Sequence, residues 1–228
     1  MDTNKKSSSI LNEKIIFSDI ELHVEDIKSL INKDDPTILE IGANCGQTTI
    51  EFLNIFPRAR IYCFEPDPRA ISKFEQNIKS TNVELIKSAV GANSGFVMFH
   101  QSSGMEWVDP EGWDHSGSIR KPKTHLEVWP WVKFEKQIPV PMLKLDDWVT
   151  ENKISKVDFI WADVQGAESD LILGALQTLQ ITDFFYTEFS DTEWYEGQIN
   201  FEILQSLLND FHLLHKFKND ALFINKSK

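Results

Sequence analysis

The stretch from Thr37 to Thr49 constrains the fold of this chain more than any other. An apolar run, Ile38 to Ile41, is followed by glycines at positions 42 and 46 and then by apolar residues spaced as on one face of a helix. This order predicts a short buried strand, a tight turn and a helix. Glycine lets the turn approach a ligand closely, and the first amides of the helix are free to donate hydrogen bonds. The stretch therefore predicts a nucleotide pocket.

The residues of this turn distinguish among kinds of nucleotide. A dinucleotide fingerprint needs glycines at positions 42, 44 and 47, but the chain has Asn44 and Gln47. A phosphate-binding Walker loop needs Gly-Lys-Ser or Gly-Lys-Thr, which this stretch lacks. An acidic residue before Gly-x-x-x-Gly is instead typical of pockets for S-adenosylmethionine. The cofactor-binding residues predicted here are Glu40, Gly42, Asn44 and Gly46.

A second carboxylate, Glu65, follows the next predicted strand, Arg60 to Phe64. At such a strand end a carboxylate can accept hydrogen bonds from both ribose hydroxyls. Glu40 and Glu65 lie about 25 residues apart, as an α/β unit requires. Each feature alone has an ordinary explanation, a chance turn or a solvated strand end, but together they predict a nucleoside pocket with Glu65 on the ribose.

Composition sets the class of protein. The 228 residues suit one α/β domain, and the net charge of -12 argues against binding to nucleic acid or to an anionic membrane surface. Cys45 and Cys63 are the only cysteines, which fits a reduced compartment. No apolar run approaches membrane-spanning length, and the first nine residues are not signal-like. We expect a soluble cytoplasmic protein without a nucleic-acid or membrane partner; a homo-oligomer is also considered.

The rest of the chain alternates strands and helices. Residues 1–36 are predicted to form an N-terminal helical cover with disordered first residues, and residues 37–228 a single domain. Val157 to Ala162 is almost continuously apolar, as in a central parallel strand. The prediction is an α/β fold with a doubly wound, Rossmann-like, seven-stranded sheet that ends in an antiparallel C-terminal hairpin. Ala89, after the third strand, either borders the adenine ring or belongs to a bend into a hairpin.

Residues 101–137 interrupt this alternation, and we predict that they form an insertion that covers the substrate. The insertion contains four tryptophans: Trp107, Trp113, Trp129 and Trp131. Aromatic planes beside polar side chains suit a sugar-like or other polyhydroxylated acceptor, although tryptophans can also simply hold a long loop to the core. His115 and His125 are candidate bases in this segment.

Carboxylates end several predicted strands, and Glu40, Glu65, Asp163 and Glu188 are expected to converge on one rim of the sheet. Asp163 is a candidate general base, or a group that orients the cofactor's amino group, or only the N-cap of the next helix. A divalent cation such as Mg²⁺ is a further possibility, held by Asp163, Glu188 and Asp191.

At this point the chain resembles the FkbM-type S-adenosylmethionine-dependent methyltransferases, a family of class I methyltransferases. Four ordered motifs between Thr37 and Phe189 carry the similarity: Glu40–Gly46, Phe64–Pro66, Leu143–Asp147 and Val157–Glu168. The resemblance implies the class I methyltransferase fold and O-methylation of sugar or natural-product hydroxyls, with Gly42, Asn44, Gly46 and Glu65 around the cofactor. The chain departs from the family at Trp161, where lysine is usual, and at Gln165, where glutamate is usual.

The resulting hypothesis is an O-methyltransferase that acts on a small-molecule or glycan acceptor, whose hydroxyl is deprotonated by Asp163 or by a histidine of the insertion. Two other classes stay open. One is a binding module that kept the nucleoside pocket without chemistry, and the other is a nicotinamide-dependent oxidoreductase, which the missing third glycine disfavours.

Overall fold

The computed structural model describes residues 21–105 and 112–228 of the chain. The helices in these ranges are α1 (Val24–Ile31), α2 (Gln47–Ile55), α3 (Pro68–Asn77), α4 (His125–Val128), α5 (Leu145–Glu151), α6 (Glu168–Gly174), α7 (Leu176–Gln180) and α8 (Phe201–Leu207). The strands are β1 (Thr37–Ile41), β2 (Arg60–Phe64), β3 (Val83–Ile86), β4 (Ala89–Val90), β5 (Gly95–Ser103), β6 (Lys133–Leu143), β7 (Val157–Ala162), β8 (Thr182–Glu188), β9 (Phe211–Lys216) and β10 (Asp220–Asn225).

The main sheet has seven strands in the order β3-β2-β1-β7-β8-β10-β9. The first five are parallel, and β10 pairs antiparallel with both β8 and β9. The predicted seven-stranded sheet with an antiparallel C-terminal hairpin is thereby confirmed. From β1 the chain proceeds outward through β2 to β3 and later returns to β7 on the other side, so a crevice opens beyond the carboxyl ends of these strands.

Alternate residues of β1 face opposite layers of the core, because successive side chains of a strand point to opposite faces. Leu39 and Ile41 belong to the hydrophobic cluster that packs against α6 and α8. Ile38 belongs to the cluster that packs against α1 and α2. Glu40 shares the face of Ile38 and is buried there. This alternation decides where the Glu40 carboxyl can reach.

A second sheet of three strands, in the order β4-β6-β5, lies outside the main sheet. Strand β6 pairs antiparallel with β5 and parallel with β4. Strands β5 and β6 extend into the predicted insertion from both sides, and residues 104–132 form the connecting segment between them, whose described residues, 104–105 and 112–132, contain no strand. Helices α6 and α7 follow each other directly and are separated only by Ala175.

The predicted N-terminal cover is present in its last part as α1. The rest of that prediction, including the disordered first residues, lies outside the described residues, as does Trp107. The domain boundaries at residues 36/37 and 101–137 stay predictions. In the part of the chain that the structure describes, no helix is long and apolar enough to cross a membrane.

Candidate functional site

The glycine turn after β1 joins the ends of three strands. Gly42 has φ of 89°, and its N–H donates to the carbonyl of Phe64 at the end of β2 (2.9 Å). The N–H of Asp163, after β7, donates to the carbonyl of Ile41 (2.9 Å). A Cβ atom on Gly42 would lie 1.8 Å from the carbonyl oxygen of Asp163. Only glycine fits here, because the two backbones are in contact.

The Glu65 carboxyl lies at the end of β2, almost fully buried. One oxygen accepts a hydrogen bond from the N–H of Asn44 (2.9 Å) and the other from the N–H of Asp67 (2.8 Å). Burial raises the pKa of Glu65 to about 8, although these two N–H groups oppose the shift. Each carboxylate oxygen has a further lone pair, so Glu65 can still accept hydrogen bonds from a ligand.

A first cavity opens beside Glu65, with about 630 Å³ of space including the part open to solvent. Its polar wall includes Gly42, Asn44, Glu65 and Asp163, and its small and apolar wall includes Ala89, Val90, Phe99 and Ile119. An apolar slot beside a buried acceptor carboxylate fits a nucleoside, whose base needs apolar contact and whose ribose needs a hydrogen-bond acceptor. The residues present therefore suit S-adenosylmethionine.

Two of the predicted cofactor residues do not line this cavity. The Glu40 carboxyl points to the opposite face of β1, where it accepts a hydrogen bond from the Thr49 hydroxyl (2.6 Å), and burial raises its pKa to about 7. Gly46 precedes α2 with φ of 85°, and a Cβ atom there would lie 2.9 Å from Ile78. Both residues shape the turn and helix α2 from behind the cavity wall.

Asp163 and Glu188, at the ends of β7 and β8, are joined by the side chain of Gln165. The Gln165 amide nitrogen donates to Asp163 Oδ1 (2.7 Å) and Glu188 Oε2 (3.1 Å). Removal from bulk water raises the pKa of Asp163, whereas the hydrogen bonds from Gln165 and Glu188 oppose that shift. The pKa of Glu188 is also raised, by burial and by the negative charge of Asp163. Such a pair holds a proton more readily than exposed carboxyls do.

Tyr195 fixes the orientation of Gln165. Its hydroxyl lies 3.0 Å from Gln165 Oε1 and 2.8 Å from the carbonyl oxygen of Ser116, and its single hydrogen can be donated to either acceptor. The Ser118 hydroxyl donates to the carbonyl of Gln165 (2.7 Å). Gln165 itself has φ of 50°, in the left-handed region. The connecting segment is thus hydrogen-bonded directly to the turn that carries Asp163.

A second cavity adjoins the first, with about 880 Å³ of space including the part open to solvent. Four tryptophans line it: Trp113, Trp129, Trp131 and Trp194. They pack in two edge-to-face pairs, Trp113 with Trp131 (5.2 Å between ring centroids) and Trp129 with Trp194 (4.9 Å). The tryptophans therefore both hold the connecting segment together and form a cavity wall.

Three residues line both cavities: His115, Asp163 and Gln165. His115 Nε2 lies 3.5 Å from Asp114 Oδ1, and the other oxygen of Asp114 accepts from Lys73 (2.9 Å). His125 lines the second cavity only and is buried against Trp129 (4.7 Å between ring centroids). Burial lowers the pKa of His125 to about 4, so it is neutral at pH 7 and weakly basic. The geometry favours Asp163 and His115 over His125 as the base.

The metal prediction is not supported. Within residues 21–105 and 112–228, no group of three or more His, Cys, Asp or Glu side chains is arranged to hold a metal ion. Asp191 Oδ1 instead accepts from the N–H of Phe201 at the start of α8 (3.2 Å). Nor does Asp163 cap the next helix, because the N-cap of α6 is Ala167.

Sequence reasoning missed the contribution of the loop after β8. Trp194 lines the second cavity and Tyr195 contacts Gln165, although neither was a candidate. The connecting segment pairs with this loop, since the N–H of Lys123 donates to the carbonyl of Trp194 (2.7 Å) and the N–H of Glu196 donates to the carbonyl of Lys121 (2.8 Å). The sequence signal that could have identified this loop is the pair of adjacent aromatic residues, Trp194 and Tyr195, which follows the strand-end carboxylate Glu188.

Comparison of the sequence with known proteins shows similarity to one family of methyltransferases. The model of the methyltransferase FkbM domain matches residues 40–220. The 2-O-methyltransferase NoeI of Sinorhizobium fredii is 44% identical over 201 residues, which cover 88% of this chain and 82% of that protein. Methyltransferase 1 of Beauveria bassiana is 24% identical over 148 residues, covering 62% of this chain and 59% of that protein.

Among solved structures, the methyltransferase FkbM of Methylobacillus flagellatus matches with a TM-score of 0.53 at 12% identity. The match covers 84% of this chain but only 44% of that one, so the present chain spans less than half of that protein's length. At this identity the likeness concerns the fold, which is the class I methyltransferase fold predicted from the sequence.

Proposed function

Since the chain belongs to the FkbM family of S-adenosylmethionine-dependent methyltransferases, we propose that it methylates a hydroxyl group of a sugar, a glycan or another polyhydroxylated natural product. The observation that carries this proposal is the position of Asp163, a residue that lines both the nucleoside cavity and the tryptophan-lined cavity. A group at this junction can contact a cofactor on one side and an acceptor on the other.

The first cavity would hold S-adenosylmethionine, which supplies an electrophilic methyl group when bound. Glu65 would accept hydrogen bonds from the ribose hydroxyls, and Ala89, Val90 and Phe99 would contact the adenine ring. Asn44 is held in this wall by its N–H bond to Glu65 (2.9 Å) and by a bond from its side-chain amide to the carbonyl of Asp114 (3.2 Å). These contacts order the wall before the ligand arrives.

Asp163 would accept the proton of the acceptor hydroxyl. Its carboxyl is held by Gln165 (2.7 Å), so little reorientation is needed, and its raised pKa brings its basicity closer to neutral pH. His115 is the alternative base, because it also lines both cavities. Most of the acceleration would come from holding the hydroxyl oxygen against the methyl group, and proton removal would add a smaller factor.

The second cavity supports a polyhydroxylated acceptor. Tryptophan faces provide apolar area for the C–H side of a sugar ring, while the carboxyls of Asp163 and Glu188 and the side chain of Asn219 provide hydrogen-bonding groups. The similarity to a protein named as a 2-O-methyltransferase supports oxygen as the methylated atom.

A methyl-transfer assay tests this proposal. The purified protein is incubated with S-adenosylmethionine carrying a labelled methyl group and with a panel of methyl glycosides, using nucleosides and simple aliphatic alcohols as controls. We expect label on a ring hydroxyl of at least one glycoside, located by mass spectrometry. Saturable binding of S-adenosylhomocysteine without transfer to any acceptor would instead indicate the non-catalytic binding module.

Other aspects of the function rest on the sequence. We propose a cytoplasmic location because both cysteines are free thiols, with Cys63 buried in β2. Independence from nucleic acid is proposed from the net charge of -12. A homo-oligomer stays a prediction, for which light scattering of the purified protein is the direct measurement.

A further inference from the structure

The charged groups in the wall of the second cavity are acidic. Asp163 and Glu188 contribute carboxyls, and no lysine or arginine is among the described residues that line this cavity. Glu168 and Asp220 lie close enough that their negative charge contributes to the raised pKa of Glu188. An anion that entered here would therefore meet carboxyl groups and, among the described residues of the wall, no lysine or arginine.

The basic residues of the connecting segment are paired with carboxylates that do not line the second cavity, and Lys133 and Lys218, which adjoin the wall residues Val132 and Asn219 in sequence, are exposed. Arg120 binds Asp170 (2.7 Å), and Lys121 binds Glu196 (2.7 Å). Lys123 is similarly paired with Glu193. Residues 106–111, which belong to the same connecting segment, include three acidic residues and no lysine or arginine in their sequence.

The two histidines of the wall, His115 and His125, do not take the place of a lysine or arginine that would bind an anion. His125 is neutral at pH 7, because burial lowers its pKa to about 4. His115 Nε2 lies 3.5 Å from the Asp114 carboxylate, so a positive charge on its ring would face that group. Tyr195 and Gln165 contribute only neutral polar groups beside the carboxyls.

We propose that the acceptor is an uncharged sugar residue, and that the second cavity excludes sugars carrying a phosphate or carboxylate on the ring that is methylated. An anionic group loses its hydration on entry, and this cost is recovered only where a cation or several hydrogen-bond donors replace the water. A neutral ring has no such requirement and stacks on the tryptophans. The inference rests on the proposed function and adds the class of sugar to it.

Matched pairs of sugars test the proposal. For glucose, galactose and mannose, the methyl glycoside is compared with the methyl glycoside of the corresponding uronic acid, which differs only in having a free carboxylate at C6. The readout is kcat/KM for methyl transfer from S-adenosylmethionine. For the ring that the protein accepts, we expect the neutral glycoside to be preferred by about tenfold or more, as for an uncompensated buried charge.

A charge variant adds a second readout. Glu188→Gln removes one ionisable carboxyl from the wall with little change of shape, so at a pH where Glu188 is deprotonated the preference for the neutral sugar should fall relative to that of the native protein. Glu202→Gln is the matched control, because Glu202 is exposed on α8 and does not line the cavity. The preference of this variant for the neutral sugar should equal that of the native protein.

The outcomes are distinguishable. If the uronate is methylated as efficiently as its neutral partner or better, the inference is wrong while the proposed function stands. If no sugar of either kind is methylated, the proposed function fails and the inference fails with it. A clear preference for the neutral sugar that Glu188→Gln reduces supports both.

Discussion

Gly42 and Asp163 are in contact through their backbones, because a Cβ atom on Gly42 would lie 1.8 Å from the Asp163 carbonyl oxygen. Gly42→Ala must therefore separate the ends of β1 and β7, and it also places a side chain at φ of 89°. We expect a loss of about 2 kcal/mol or more in the free energy of unfolding, together with at least tenfold weaker binding of S-adenosylhomocysteine. Denaturant titration and calorimetry measure the two effects.

Gly95→Ala is the control for this variant. Gly95 also has positive φ (147°), but a Cβ atom there would meet nothing within 4 Å. Its loss of stability should come from backbone strain alone, and ligand binding should be unchanged. Equal effects of the two substitutions on binding would contradict the role given to the Gly42 contact.

Glu65→Ala should weaken S-adenosylhomocysteine binding by about 1 to 3 kcal/mol, because the ribose hydroxyls lose a buried acceptor. Calorimetric titration measures this change directly. Glu84→Ala on the adjacent strand β3 is the control, since Glu84 is exposed and does not line the cavity. Native-like affinity in Glu65→Ala would show that another group binds the ribose.

Glu40 should make the stability of the protein depend on pH. Burial raises its pKa to about 7, so the folded state binds this proton more tightly than the unfolded state. The stabilisation is complete below the pKa of an unfolded glutamate and is lost as the pH rises through 7. As the pH rises from about 5.5 to 8.5, the free energy of unfolding of the native protein should therefore fall by about 1 to 3 kcal/mol more than that of the neutral variant Glu40→Gln.

Denaturant titrations at several pH values measure this difference. Some dependence on pH should persist in Glu40→Gln, because burial also raises the pKa of Glu65 to about 8 and that of Glu168 to about 7. Glu202→Gln, at an exposed position of α8, should follow the native profile. A Glu40→Gln profile parallel to the native one would contradict the prediction.

Asp163→Asn should lower kcat for methyl transfer by about 100- to 10,000-fold, the range expected for loss of a general base. The affinity for S-adenosylhomocysteine should change little, because asparagine keeps the shape of the wall. Single-turnover kinetics and calorimetry separate these effects, with Asp147→Asn at an exposed position of α5 as the control. A parallel loss of affinity would indicate that Asp163 mainly orients the cofactor.

The main sheet and Glu65 were predictable because their signals are local. The almost continuously apolar run of β7 is typical of a strand buried on both faces, and Glu65 follows β2 directly. Glu40 shows the limit of such reasoning, because a strand places successive side chains on opposite faces. Its neighbour Ile41 lines the cavity, whereas Glu40 binds Thr49 behind it.

The walls of the second cavity were only partly predictable. The Tyr195 hydroxyl reaches the carbonyl of Ser116, 79 residues earlier in the chain, and no local pattern marks such a contact. Strand β6 begins at Lys133, inside the predicted insertion, because it pairs there with β5 on the other side of the connecting segment. Contacts between distant segments decide this part of the site.

The hydrogen bonds from Ser118 and Tyr195 to Gln165 have a consequence for engineering new acceptor preferences. Substitutions in the connecting segment that are meant to change the acceptor should also change the affinity for the cofactor. The reason is that this segment supports the turn at Asp163 and Gln165, which lines both cavities. Transplanting the segment from a relative should succeed only when positions 165 and 195 are exchanged with it. Acceptor preference should therefore be transferred between relatives only by the connecting segment together with the residues at positions 165 and 195.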